Sequence, residues 1–274
     1  MKTTLLVDAD LYAFRAMTAS EEETEWDDDV WTLTCNHKQA RSRYESAVNY
    51  AVKATEADAV VHCFSDKENW RKTLNPLYKA NRKKVRKPVG YVEFITKLQN
   101  DVEKSYQRPT LEADDILGIL STHPTLIEGR KVITSIDKDM KTIPGLLHGA
   151  DGLVEVTPEE AARYHMAQTL SGDAVDNYAG CPGLGKQRAE EIVNNPTILV
   201  PYEHELKRGP RKGQTETRYA EEPTEDLWAA VVSRFTAAGQ TEEDALMNAR
   251  LARICQYTEY DFKKKEVILW KPSS

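Results

Sequence analysis

Three short apolar segments of this chain each run into an acidic residue. Residues 4–7, 59–64 and 131–136 have the apolar and β-branched composition of buried strands, and Asp8, Asp66 and Asp137 follow them. Helix-compatible segments, such as residues 38–57 and 91–102, lie between the strands. This alternation predicts an α/β fold with a mostly parallel central sheet flanked by helices. Because ligands bind beyond the carboxyl ends of such strands, we expect the three carboxylates at one functional edge.

A second acidic cluster opens a predicted helix. Glu112, Asp114 and Asp115 precede the apolar run 116–120, and residues three apart share a helix face, so Glu112 and Asp115 can point at one spot. A solvated helix start that matches the helix dipole is the alternative interpretation. The repeated acids at strand ends favour a cation site instead.

Charge is distributed unevenly over the 274 residues. The chain is 40% hydrophobic and 30% charged, which is typical of a globular protein of one large or two ordinary domains. The net charge of −7 argues weakly against a nucleic-acid partner. Residues 21–29 hold seven carboxylates and are predicted to form a solvated loop or helix start. Residues 67–87 hold nine basic residues and one acidic residue, interleaved with Trp70 and Tyr78. The cations could bind nucleic-acid phosphates and the aromatic rings could stack on bases, or the stretch could be only a solvated face.

The four cysteines and the N-terminus indicate the compartment. The cysteines are far apart and form no Cys-x-x-Cys pair, so we expect reduced thiols. The first residues reach an acid too soon for a signal peptide, and no apolar run is long enough to span a membrane. These features predict a cytoplasmic protein.

The second half of the chain is organised around a glycine-rich turn. Residues 180–189 read Gly-Cys-Pro-Gly-Leu-Gly-Lys-Gln-Arg-Ala between two helix-prone segments, and Asp173 and Asp176 precede them. Such a turn can expose backbone N–H groups to a phosphate, or can be only a tight turn; it lacks the spacing of a nucleotide P-loop. The full string predicts a helix-hairpin-helix motif. Residues 196–224 are interpreted as an exposed, mobile loop that can touch DNA, residues 227–238 and 242–257 as helices, and residues 266–270 as a short strand or tail.

Taken together, these motifs resemble those of the flap-endonuclease superfamily of 5′ nucleases, above all the 5′→3′ exonucleases of short-tailed bacteriophages. The resemblance covers nearly the whole chain. It rests on Val7-Asp8-Ala9-Asp10, Phe64-Ser65-Asp66, Tyr78-Lys79-Ala80-Asn81-Arg82, Glu112-Ala113-Asp114-Asp115, Ser135-Ile136-Asp137-Lys138-Asp139, Gly172-Asp173, Asp176-Asn177 and Gly183-Leu184-Gly185-Lys186.

The resemblance implies a PIN-like nuclease core in residues 1–157, with a basic arch or groove near residues 67–90, and a helical helix-hairpin-helix region in residues 158–274. It implies that two Mg²⁺ or Mn²⁺ ions are held directly or through the outer shell by Asp8, Asp66, Glu112, Asp114, Asp115, Asp137, Asp139, Asp173 and Asp176. It places Lys79 and Arg82 on the scissile phosphate and Tyr78 on a terminal base. Other DNA contacts would come from Lys83, Lys84, Gly183, Gly185 and Lys186, with K⁺ at the hairpin. The family often has a neutral residue where this chain has Asp10, so the part of Asp10 in the site is left open.

The implied activity is hydrolysis at the 5′ ends of duplex DNA, or near a nick or 5′ flap, to give 5′-phosphate products. RNA–DNA hybrids are a further possible substrate, and a monomer is expected. The chemistry of the residues agrees, because clustered carboxylates repel one another unless cations neutralise them, and oxygen-only ligands favour Mg²⁺ or Mn²⁺ over zinc. Two such ions about 4 Å apart can generate hydroxide and stabilise the leaving oxygen.

Three other functions share some of these sequence features. A haloacid-dehalogenase-type phosphatase would use Asp8 as a covalent nucleophile in Asp8-Ala9-Asp10, but it leaves the glycine turn and the basic stretch unexplained. A PIN-type ribonuclease shares the acidic sheet edge and lacks a helix-hairpin-helix. A non-catalytic DNA-binding or scaffold protein would not need the acidic motifs, and all of them are intact in this chain, which argues against this alternative.

Overall fold

The computed structural model describes residues 2–272, although the side chains of Lys83 and Lys84 lie outside what it describes. The strands are β1 (Thr3–Asp8), β2 (Glu21–Asp27), β3 (Val30–Cys35), β4 (Ala59–Cys63), β5 (Ser105–Tyr106), β6 (Arg130–Thr134), β7 (Gly145–Gly149), β8 (Gly152–Val156), β9 (Thr197–Glu205), β10 (Thr215–Pro223), β11 (Tyr260–Asp261) and β12 (Glu266–Val267). The helices are α1 (Ala9–Thr18), α2 (His37–Thr55), α3 (Arg71–Leu74), α4 (Tyr91–Asp101), α5 (Ala113–Thr122), α6 (Pro158–Ser171), α7 (Lys186–Asn194), α8 (Leu227–Ala237) and α9 (Glu242–Ala252). Short 3₁₀ turns occupy Ala80–Lys84, Lys138–Thr142 and Tyr257–Glu259.

The described residues divide into two compact units. Residues 2–73, 82–161 and 254–269 form the first, and residues 74–81, 162–253 and 270–272 form the second. The C-terminal segment 254–269 therefore belongs to the first unit, although the sequence interpretation placed it in the helical region. It packs on α5, where Gly118 leaves room for the backbone of Cys255. Within residues 2–272, no helix combines the length and apolar content that crossing a bilayer requires.

The first unit has the predicted α/β fold, with a mostly parallel central sheet. Its six strands lie in the order β5-β4-β1-β6-β7-β8, all parallel to their neighbours except β8. The central strand β1 pairs Asp8 with Cys63 on one side and Val7 with Thr134 on the other. The carboxyl ends of β1, β4 and β6 therefore share one edge, and the acids that follow them are placed there by the sheet register.

Helices cover the sheet with apolar faces. Tyr44, Val48 and Ala51 of α2 recur at helical spacing and are buried with Leu5 and Val7 of β1. The predicted helix over residues 38–57 is thus confirmed, and burial of this face fixes α2 against the central strand.

The acidic segment 21–29 is not the loop or helix start that was predicted. It is the first arm and turn of an antiparallel hairpin, β2–β3, with Asp29 in the left-handed conformation at φ 62°. Nearly every side chain of β2 is exposed, so no hydrophobic alternation marks the strand in the sequence. Glu21, at the base of the hairpin, accepts two hydrogen bonds from Arg86 at 2.7 and 2.8 Å.

The second unit is helical around its own core. Leu170 of α6, Ile192 of α7 and Phe235 of α8 are buried together, and the glycine turn joins α6 to α7. The predicted loop 196–224 is wrong, because β9 and β10 form a nine-pair antiparallel hairpin across most of it. Its four prolines obscured the strands, yet a two-stranded ribbon has two free edges, where a residue without an N–H such as Pro201 is tolerated.

Candidate metal and nucleic-acid site

Two aspartates lie where β1 meets α1, and of these Asp8 is buried and Asp10 is half-buried. Asp8 caps α1 through the Leu11 N–H at 3.2 Å, and its Oδ2 accepts a hydrogen bond from the Ser135 hydroxyl at 2.9 Å. Burial raises the pKa of Asp8 to about 7; the negative charges of Asp10 and Asp137 raise it further, while those two hydrogen bonds oppose the shift. Such a carboxylate is stabilised by a cation beside it.

Asp10 shares this environment. Its Oδ2 accepts a hydrogen bond from the Ser65 N–H at 2.7 Å, just beyond the end of β4. Burial raises the pKa of Asp10, the hydrogen bonds from Ser65 and the charge of Lys87 oppose the rise, and Glu112 adds to it. The negative charge of Glu112, at the start of α5, therefore acts on Asp10 at the end of β1.

Asp66 and Asp137 lie in the loops that follow β4 and β6. Asp66 Oδ2 accepts the Thr110 N–H at 2.8 Å, which ties this loop to the segment before α5. Asp137 Oδ1 accepts the Asp139 N–H at 2.9 Å, and the Asp137 N–H donates to the Ser135 hydroxyl at 3.1 Å. Ser135 thus contacts both Asp8 and Asp137 and fixes their relative position.

The acidic start of α5 is built on a buried arginine. Asp115 Oδ1 accepts hydrogen bonds from Arg71 Nη2 at 2.8 Å and the Cys255 N–H at 3.1 Å. Its Oδ2 accepts them from Arg71 Nη1 at 2.9 Å, Trp70 Nε1 at 3.0 Å and the Glu112 N–H at 3.3 Å. Arg71 Nη1 also donates to Glu112 Oε2 at 3.1 Å.

This network changes the interpretation of Asp115. Its side chain is 0% exposed and five N–H groups already share its two oxygens, which leaves no lone pair directed at an ion. In this structure Asp115 therefore holds Glu112 in place, through the Glu112 N–H and through the Arg71 that both carboxylates share. Asp114, one residue earlier, is only partly buried and remains a candidate ligand.

The donor set of the first unit fits a hard divalent cation. The candidates are all carboxylates, namely Asp8, Asp66, Glu112, Asp114, Asp137 and Asp139, with Asp10 as an addition. As their side chains stand, no three acidic, histidine or cysteine residues in the described part of the chain converge closely enough to hold an ion. Backbone and hydroxyl donors engage several of the carboxylates, so binding an ion requires side-chain rotations.

The second unit carries its own acidic pair. Asp173 Oδ1 accepts the backbone N–H groups of Val175 and Asp176, at 2.7 and 3.2 Å, and so shapes the turn. Asp176 Oδ2 accepts a hydrogen bond from the Tyr78 hydroxyl at 2.8 Å and lies 3.5 Å from Lys79 Nζ. The backbone N–H of Lys79 donates to the Asp176 carbonyl at 2.9 Å. Asp176 therefore orients the Lys79 ammonium.

Tyr78 is placed differently from the prediction. Its ring is 3% exposed and packs with Tyr178, Leu251 and Ala252, so in this structure it has no free face on which a base can stack. Lys79 Nζ lies 5.1 Å from the centre of that ring. The sequence could not separate a buried tyrosine from an exposed one within a basic stretch.

The remaining predicted DNA contacts are exposed or outside the described side chains. Gly183 has φ 79°, which favours glycine, and Gly185 is the N-cap of α7 with open space around it. The Lys186 side chain is 69% exposed and lies 3.8 Å from Glu190. Arg82 is exposed, and the predictions for Lys83 and Lys84 fall on side chains that the structure does not describe.

Three residues that support the site, Arg71, Ser65 and Ser135, were not predicted from the sequence. Arg71 was counted among the solvated bases of the 67–87 stretch, and only its position beside a tryptophan distinguished it. Ser65 and Ser135 stood inside the quoted motifs without a role, yet Ser65 binds Asp10 and its hydroxyl also accepts the Ala113 N–H at 2.9 Å.

Known proteins are similar to this chain in sequence. Residues 3–146 match the family model for the 5′-3′ exonuclease, N-terminal resolvase-like domain. The exonuclease of Escherichia phage T7 is 40% identical over 283 residues, covering 99% of this chain and 94% of the phage protein. The exodeoxyribonuclease of Enterobacteria phage T3 is 39% identical over 285 residues, covering 100% of this chain and 94% of its own length.

A solved structure supports the fold. A bacteriophage T5 flap endonuclease variant, crystallised in a pseudo-enzyme–product complex with DNA and metal ions, superposes with a TM-score of 0.53 at 17% identity, over 70% of this chain and 75% of that one. These likenesses do not favour the phosphatase alternative. The chain therefore belongs to the 5′-3′ exonuclease family of nucleases, together with the phage exonucleases that match it over nearly its whole length.

Proposed function

We propose that this chain is a divalent-metal-dependent nuclease that removes nucleotides from the 5′ ends of duplex DNA, or cuts near a nick or 5′ flap, and leaves 5′-phosphates. The observation that carries the proposal is the register of the parallel strands β4, β1 and β6, which puts Asp8, Asp66 and Asp137 at one edge of the sheet. A cation at this edge of the sheet would restore the charged carboxylates at neutral pH.

The proposed ligands are the carboxylates of the motifs that the family resemblance identifies. Asp8, Asp66, Glu112, Asp114, Asp137 and Asp139 would hold two Mg²⁺ or Mn²⁺ ions directly or through the outer shell. Asp173 and Asp176 would contribute in the same way. When bound, such ions supply an activated water and stabilise the leaving oxygen of a phosphodiester, so no general-base side chain is needed.

The chain's own groups position these ligands and the substrate. Ser135 donates to Asp8 and holds it toward the edge, and Arg71 fixes both Glu112 and Asp115. Lys79, oriented by Asp176, and Arg82 would bind the scissile phosphate as cations. The amides around Gly183 and Gly185 would grip the duplex backbone, with K⁺ as a bridging ion.

The substrate class, oligomeric state and location are part of the proposal. The T5 enzyme was crystallised with DNA and metal ions, which supports DNA as the substrate class here. We propose that the chain acts as a monomer in the cytoplasm of the host, and that it also degrades the RNA strand of an RNA–DNA hybrid. The two-domain division at residues 157 and 158 stays a prediction.

End-labelled duplex DNA tests the proposal. Linear, gapped and flapped duplexes are incubated with Mg²⁺ or EDTA, and mononucleotides indicate trimming whereas short oligomers indicate flap incision. Asp114→Asn and Asp137→Asn should abolish cleavage, whereas Asp101→Asn, an exposed change at the end of α4, should not. Full activity in either site variant, or metal-independent release by the wild type, would contradict the proposal. Trapping of phospho-Asp8 would support the phosphatase alternative.

A further inference from the structure

The hairpin β9–β10 ends in a cluster of basic residues that no motif of the family accounts for. Its connecting segment, residues 206–214, contains Lys207, Arg208, Arg211 and Lys212 and no acidic residue. All four side chains are exposed, and we call this segment the basic tip. Gly209 and Gly213, both at φ 83°, turn the chain back toward β10.

Charge is separated along the hairpin. The arms carry carboxylates, and Glu216 lies 2.8 Å from Arg218 and 3.5 Å from Arg211. By contrast, Lys207, Arg208 and Lys212 form no ion pair with any residue that the structure describes. Three cations held at the end of a ribbon without internal counter-ions are suited to an external polyanion.

The base of the hairpin is fixed to the glycine-turn helix. Glu221 of β10 accepts a hydrogen bond from Arg188 at 2.9 Å, and Arg188 lies in the first turn of α7, just after Gly185. On the other side, the buried Arg234 of α8 donates to Thr197 of β9 at 2.6 Å. An isolated two-stranded hairpin is only marginally stable in water, so these contacts tie the base of the ribbon to α7 and α8.

We propose that the basic tip is a second binding site for duplex DNA, which contacts backbone phosphates away from the glycine turn. The inference rests on the proposed function, because it takes duplex DNA as the substrate. Nine residues per arm give the hairpin a reach of about 30 Å, or the length of about nine base pairs. A contact at that distance from the glycine turn keeps the duplex attached while its end is shortened.

Salt-dependent binding tests the proposal. The affinity of the full chain for a blunt 25-base-pair duplex is measured with Ca²⁺ in place of Mg²⁺, between 50 and 200 mM salt. In the triple variant Lys207→Gln/Arg208→Gln/Lys212→Gln, the slope of log K against log salt should fall by about 2 to 3, since each phosphate contact contributes about 0.9. Over this range the wild type should therefore lose about 40-fold more affinity than the variant.

A matched control removes the same charge elsewhere. Lys2→Gln/Lys53→Gln/Lys104→Gln changes three exposed lysines that lie near the amino ends of β1, β4 and β5, at the opposite edge of the sheet. It should leave the slope within about 0.5 of the wild-type value, because phosphate contacts rather than net charge set the slope. If the triple variant does not fold, Arg208→Gln alone should lower the slope by about 0.9.

Equal slopes for the basic-tip and control variants would overturn the inference. If the wild type binds and cleaves the duplex in that case, the proposed function stands and only the basic tip is misassigned. If the wild type neither binds nor cleaves duplex DNA, the proposed function itself fails.

Discussion

Asp115→Asn and Asp114→Asn are adjacent, chemically identical changes for which the structure predicts opposite effects. Asp115 is fully buried and accepts hydrogen bonds from Arg71, Trp70 and Cys255, whereas Asp114 is partly exposed at the candidate site. We expect Asp115→Asn to lower the free energy of unfolding strongly. Asp114→Asn should abolish cleavage and change stability by less than about 1 kcal/mol.

The magnitude follows from the donors around Asp115. An amide NH₂ at Oδ1 would face Arg71 Nη2 and the Cys255 N–H, and at Oδ2 it would face Arg71 Nη1, Trp70 Nε1 and the Glu112 N–H. Either orientation opposes at least two donors and removes the charge that neutralises an Arg71 side chain only 3% exposed. Breaking a buried ion pair in this way costs about 3–5 kcal/mol.

Urea unfolding followed by far-UV circular dichroism measures this cost. The midpoint should fall with an unchanged slope, and the melting temperature should fall by about 6–20 °C. A loss below about 1 kcal/mol in Asp115→Asn, or an equal loss in Asp114→Asn, would refute the assignment of Asp115 to support.

Three further outcomes are expected. Burial lowers the pKa of His165 to about 3, so between pH 7.5 and pH 5 the unfolded chain binds a proton at this residue that the folded chain does not. His165 should therefore contribute a loss of about 2 kcal/mol over this range, measured by urea unfolding as the difference in pH dependence between the wild type and His165→Gln; equal pH dependence would contradict this. Tyr78→Phe removes the 2.8 Å hydrogen bond to Asp176 and should cost about 1–2 kcal/mol in thermal unfolding; an unchanged melting temperature would contradict this. In Gly118→Ala the added Cβ would lie 2.3 Å from the carbonyl oxygen of Cys255, so we expect a loss of about 1–3 kcal/mol by calorimetry, and a neutral result would show that α5 can shift.

The sheet and its acidic edge could be predicted because their signals are local. Each buried strand is a short apolar run, and the acids that follow β1, β4 and β6 are adjacent in sequence. Parallel pairing then places them at one edge of the sheet without any knowledge of long-range contacts. The same reasoning identified α2 from the spacing of Tyr44, Val48 and Ala51.

The hairpins β2–β3 and β9–β10 were not predicted because their strands bury few side chains. In β2 almost every side chain is exposed, and β9–β10 contains prolines and charges that are typical of loops. Their stability comes from backbone pairing and from base contacts such as Glu21 with Arg86 and Glu221 with Arg188. Such partners are 65 and 33 residues apart, so sequence spacing gave no sign of them.

The roles of individual charged residues were equally hidden. Arg71 and Lys79 stand in one basic stretch, yet Arg71 is buried against Asp115 and Lys79 is oriented by Asp176. Likewise Asp114 and Asp115 differ only in which side of α5 they occupy. Helical periodicity predicts that adjacent residues face apart, but not which of the two meets an arginine.

If carboxylates at the carboxyl edge of the parallel sheet hold divalent cations, the protein should bind such ions without DNA. Electron paramagnetic resonance can count the bound Mn²⁺ ions. We expect about two ions per wild-type chain and at least one fewer in Asp8→Asn, with no change in Asp101→Asn. Equal numbers of bound Mn²⁺ in wild type and Asp8→Asn, or none in the wild type, would contradict it.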